Sequence, residues 1–150
     1  MNAIIAYTNM ESARKTFFEP GCFRKLCRQS QRGERFWLVL GHPPREDSAS
    51  SQARSWCGFV QDLVEVLPSQ TKRPDGPGWL SGQIWLHLAP QLKSHTGDRI
   101  RSGNLRFRVA TLGDAWTDER GVRHYLEVTR LHHIGLVGHP ALPTRLMRSA

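Results

Sequence analysis

Apolar residues along this chain recur mostly at the two-residue spacing of half-buried strands. The first run, Ala3 to Tyr7, has strand length, and a polar segment follows it. Pro20-Gly21 then gives a turn signal, after which Cys22, Phe23, Leu26 and Cys27 fall at helical spacing, so a short amphipathic helix is expected there, ended by Gly33. Arg35 to His42 is a continuous apolar run that stops at a histidine, and the polar HPPREDSASSQ behind it reads as a loop. From Trp56, Phe59, Val60, Leu63, Val64, Val66 and Leu67 suit a strand with an irregular start, bracketed by Gly58 and Pro68; a helix is the alternative over the same residues.

Ser69 to Gly78, rich in Pro, Asp and Gly, reads as a hairpin-type connection. In the strand after it, Ile84, Leu86 and Leu88 alternate with Gln83, Trp85 and His87. A short helix fits between Ala89 and Asn104, closed by Gly103. Leu105, Phe107 and Val109 then alternate with Arg106, Arg108 and Ala110 in a half-exposed strand. Asp114 to His124 reads as a turn-rich linker, and Tyr125 to Leu142 as one or two apolar strands before the basic tail 144–150. No repeat, low-complexity tract or heptad pattern interrupts this order. The class expected is mainly β (α+β), with two or three short helices.

A chain of 150 residues with ordinary apolar content is expected to form one domain, 1–150. Its 21 Lys and Arg against 13 Asp and Glu give a net charge of +8, which suits acidic partners. The basic residues are scattered, however, so nucleic-acid contact is expected to be non-specific. Three cysteines are too few for a disulfide scaffold and point to a reducing compartment. The first residues lack the basic segment and long apolar core of a signal peptide, so the expectation is a protein acting in solution, without a membrane.

Cys22 and Cys27 have the spacing of zinc ligands, and His132, His133 and His139 lie in one short apolar run. Against zinc, both cysteines lie on the apolar side of the expected helix, where a thiol packs as a small hydrophobe. Alternation in a strand also sends His132 and His133 to opposite faces. No metal site is therefore expected. Neither a G-x-x-x-x-G-K-[ST] nor a G-x-G-x-x-G segment occurs, so no nucleotide or other cofactor is expected. Trp37, Phe59 and Ile84 sit in apolar strand patterns and read as core. His42, where an apolar strand meets a loop, is a candidate general base.

The segments EPGCF (19–23), FWLVLGH ending at His42, CGFVQDL from Cys57, GWLSGQIWL, IRSGNLRFRVATL and LHHIGLVGHPALP, in that order, resemble the landmarks of the prohead (head-maturation) serine proteases of tailed phages. The resemblance covers about residues 17 to 143. It implies a compact antiparallel β-barrel flanked by a few short helices, akin to the herpesvirus assemblins. It also implies cleavage of scaffold or capsid protein during head assembly, with the major capsid protein or a scaffolding segment as partner, a homodimer as in related folds, and a place in the bacterial cytoplasm or the phage procapsid. His42 matches the catalytic histidine. His133 falls where the family has an acidic residue, and the assemblins are known for a His-Ser-His arrangement, so His133 takes the third position of the triad.

The departure lies at the nucleophile. The family serine aligns with Arg108 or Val109, depending on a one-residue gap, and neither attacks a carbonyl. Thr111 and Ser102 are the nearest hydroxyls. Thr111 needs a register shift of two or three residues, and Ser102 precedes the strand. The expectation is a family member impaired in catalysis, acting in assembly. The alternatives are a protease with Thr111 or Ser102 as displaced nucleophile, a non-catalytic binding protein of the same fold, and a basic nucleic-acid-binding β-barrel.

Overall fold

The structure is a computed structural model that describes residues 1–40 and 56–138. Within them the strands β1 (Asn2–Thr8), β2 (Thr16–Phe18), β3 (Phe36–Leu40), β4 (Trp56–Val66), β5 (Gly78–Leu86), β6 (Arg106–Thr117) and β7 (Arg123–Val137) are joined by helices α1 (Arg24–Gln31) and α2 (Pro90–Arg101). The chain is mainly β, as its alternation requires. All seven strands belong to one curled sheet, ordered β1-β5-β4-β3-β7-β2, with β6 on the other edge of β7.

Most neighbours are antiparallel, but β2 and β3 both run parallel to β7. The curl brings β1 against β6, and no ladder joins these two strands among the described residues. The sheet is therefore a half-barrel with two edges facing each other, where the resemblance implies a compact, mostly antiparallel β-barrel. No described helix is long and apolar enough to cross a membrane.

The concave face holds one core. Ile5, Leu38, Val60, Leu80, Ile84, Phe107, Val128 and Ile134 meet there, joined by Leu26 of α1 and by Phe23 just before it, both fully buried. Phe23 lies 4.9 Å from the ring of Phe18, whose other neighbour, Tyr125, is 5.3 Å away. Truncating such a buried ring to alanine costs about 3–5 kcal/mol.

The N-terminus of α1 has no cap from its own side chains. Glu65 on β4 replaces one: its carboxylate accepts the amides of Gly21 (2.6 Å) and Phe23 (2.9 Å), satisfying donors that a helix start leaves open. At the other end Gly33 takes the left-handed conformation that stops the helix. Ser30, near that end and buried, accepts the amide of Leu63 at 2.8 Å. That bond anchors the irregular stretch of β4 between Gln61 and Val64.

Several expectations are corrected. Trp37 is not core: it is 50% exposed, and Phe59 is half-exposed on the same face, because the core-facing residues of β3 are its neighbours Phe36 and Leu38. Ile84 is buried. The expected linker from Asp114 is strand up to Thr117, and only the residues between Thr117 and Arg123 turn.

Tyr125 onward belongs to a single strand of 15 residues paired with the 12 of β6. The difference is absorbed by three register shifts, which leave Leu126, Thr129 and His132 as extra residues on β7. Tyr125, Val128, Leu131 and Ile134 consequently all reach the core at a spacing of three. His132 and His133 do not alternate simply across the strand, because His132 is one of these extra residues.

Candidate functional site

Strands β3, β7 and β6 lie side by side. β3, which leads toward His42, runs parallel to β7, with Leu38 opposite Ile134, Val39 opposite Gly135 and Leu40 opposite Leu136. On the other edge of β7, β6 pairs Arg108 with Gly135, Val109 with Ile134 and Ala110 with His133. His42 and His139 lie outside the described residues.

His133 is buried, at 6% exposure. The residue directly opposite it is Ala110, and the next on the same face of β6 is Arg108. Thr111 stands opposite Leu131, a core residue, across the register shift from His133. Val109 pairs with Ile134 and packs against the core. Ser102 is at the end of α2, exposed, and its hydroxyl donates to the Arg99 carbonyl at 3.1 Å.

Between the facing edges of β1 and β6 lies a cleft of about 180 Å³. Thr111, Arg108, Arg14, Ser12, Thr16 and Tyr125 contribute to its wall, and among the described residues no carboxylate does. Burial, and after it the Arg14 charge, hold the Arg108 guanidinium below its ordinary range. The described wall of the cleft thus carries hydroxyls and arginines.

Cys22 and Cys57 are buried in the core, and Cys27 is half-buried at its margin. Burial raises all three thiols, with Cys27 pushed up to about 11 and Cys57 to about 12. This is the packing expected of core cysteines and the opposite of what a thiolate ligand needs. Among the described residues no group of three or more His, Cys, Asp and Glu is arranged to hold a metal.

His124 lies in the segment whose pattern predicts a linker and carries no motif. Its Nε2 lies 2.8 Å from Asp118 Oδ2 and its Nδ1 3.4 Å from Glu19 Oε1, while its ring stacks on Trp116 with centroids 4.3 Å apart. Asp118 also accepts the amides of Arg120 and Val122. The hydrogen bond with His124, followed by these amides, holds the Asp118 carboxyl below its usual range. The cluster braces the turn that folds β6 back onto β7. The signal for it was Trp116, a large aromatic unusual in a solvated linker.

Comparison with protein families, curated proteins and solved structures finds no match for this chain.

Proposed function

We propose that the chain is a prohead-protease-like domain of a tailed phage or prophage that has lost its nucleophile and acts in head assembly by holding the major capsid protein or its scaffolding segment. The observation that carries the reading is the adjacency of β3, β7 and β6. These three strands hold the segments aligned with the family's histidine, third triad member and serine. In this reading His42 and His133 keep the places of base and orienting residue, and the half-barrel is the family's barrel with β1 and β6 as its closing edges. The ladder positions nearest His133 on its face of β6, Ala110 and Arg108, carry no hydroxyl. Losing the nucleophile removes nearly all triad-dependent rate.

A second reading, a protease with Thr111 as displaced nucleophile, has one observation in its favour: Thr111 lines the cleft between β1 and β6. Affinity purification of the chain from cells that also express the capsid and scaffold polypeptides of its genomic neighbourhood tests the first reading. Retention of one of them, unchanged in His42→Ala and Thr111→Ala, is the expected result. Absence of any retained capsid or scaffold polypeptide would overturn it.

A further inference from the structure

The outer face of β3, β4 and β5 carries a row of aromatic rings that the core does not use. Register sets Trp37 opposite Phe59 and Phe59 opposite Trp85, so the three share one face across three strands. Trp37 is 50% and Trp85 48% exposed. Trp56 extends the row, its ring 5.9 Å from that of Trp37 and 5.0 Å from that of His87. The Arg35 guanidinium lies 4.5 Å from the centre of the Phe59 ring. Gly58 makes the arrangement possible, because a Cβ there would run into the Trp85 carbonyl oxygen. The close approach of β4 to β5 beside the row depends on it.

What surrounds the rings decides what they suit. Gln61 pairs with Gln83 one step along the same face, and Arg35 and His87 border it. The patch thus combines flat rings, amides and the Arg35 guanidinium, with Glu34 sharing a cleft with Arg35 and Trp37, on a chain of net charge +8. An aliphatic partner surface has no use for the arginine and the amides. A duplex keeps its base faces inside. A single strand presents both bare base faces and phosphates, and its bases stack on aromatic rings and on guanidinium planes.

We propose that the Trp37–Phe59–Trp85 row is a stacking platform for single-stranded nucleic acid, bordered by Arg35 for the phosphates. The proposal is independent of the peptidase-like reading, since it uses a different set of residues.

The test is fluorescence anisotropy of a labelled oligothymidylate of about 15 nucleotides titrated with the full chain at low salt. Quenching of tryptophan emission is read in parallel. Binding is expected, weakening as salt rises. Trp37→Ala and Trp85→Ala should each weaken it roughly 5- to 100-fold, the range of one stacked base. Trp85→Phe should retain most of the affinity, whereas Trp85→Leu, of similar apolar character without the ring, should not. Circular dichroism checks that these exposed sites leave the fold intact. No binding at low salt, equal affinity for Leu and Trp at position 85, or equally tight binding of duplex would each overturn the proposal. So would self-association that buries the tryptophans and is abolished by the same substitutions.

Discussion

Ala110 on β6 lies directly opposite His133 on β7. Opposed residues in an antiparallel pair hold their Cβ atoms about 4.5–5.5 Å apart, so this is the place on β6 from which a side chain would most readily meet the imidazole. A methyl group occupies it. Thr111, one residue on, is carried to Leu131 by the register shift that leaves His132 unpaired. A slip of one residue in a strand changes the face a side chain serves. The shift therefore carries Thr111 away from the place opposite His133.

Glu65 binds two amides of the turn that starts α1, 44 and 42 residues away in sequence. Hydrogen bonds to a charged group contribute about 1.5–3 kcal/mol each, and both donors lose their partner together. Glu65→Ala is expected to lower stability by about 2–4 kcal/mol, read as a reduced urea midpoint with an unchanged slope. Glu65→Gln, which keeps one acceptor oxygen, should recover part of the loss. An unchanged midpoint in Glu65→Ala would remove the carboxylate from the account of how α1 is docked.

The Asp118 carboxyl is held below its ordinary range by His124 and by the turn amides. A depressed carboxylate contributes stability that is fully present above its unfolded pKa, about 4, and is lost as pH falls through the lower folded value. Asp118→Asn should therefore lower Tm at neutral pH, with the difference from the parent shrinking as the solution is acidified below about pH 4. Thermal unfolding followed across pH reads this directly, and a constant difference at all pH values would contradict it.

Burial raises the Cys22, Cys27 and Cys57 thiols. The thiolate is the reactive form, so little of it exists near pH 8. A disulfide reagent such as Ellman's should react slowly with the folded chain at that pH, Cys27 first because it is the least buried, and should titrate all 3 thiols once the chain is unfolded. Fast reaction of Cys22 or Cys57 in the folded state would contradict their placement in the core.

Strands that obey simple alternation were legible. Ile84 and Leu86 point inward and Trp85 outward as their spacing requires, and Gly33 and Gly103 stop the two helices where expected. Legibility failed where pairing, rather than local pattern, decides. The three-residue core spacing on β7 is produced by register shifts against β6, which no window of β7 alone reveals. β2, at three residues, is too short to show a period and exists because it pairs with residues 123 to 125.

Trp37 was misplaced because FWLVL is apolar on both faces, so hydrophobicity alone does not say which side is core. At the candidate site, that β6 carries no serine and that His133 lies in an apolar stretch was legible. Ala110 as its neighbour was not, since that follows from the shift at His132. Glu65 gave no local signal, because its partners are distant, and His124 gave only the nearby Trp116.

The proposed reading keeps together the strands aligned with the family's triad segments while the nucleophile is missing. It is tested most directly by co-expressing the chain with the capsid and scaffold polypeptides of its genomic neighbourhood and measuring their intact masses, beside His42→Ala, Thr111→Ala and Ser102→Ala. The account predicts full-length polypeptides in every case, with the same masses for parent and variants. Defined cleavage products that vanish in His42→Ala and in one hydroxyl variant would contradict it and establish a working protease with a relocated nucleophile.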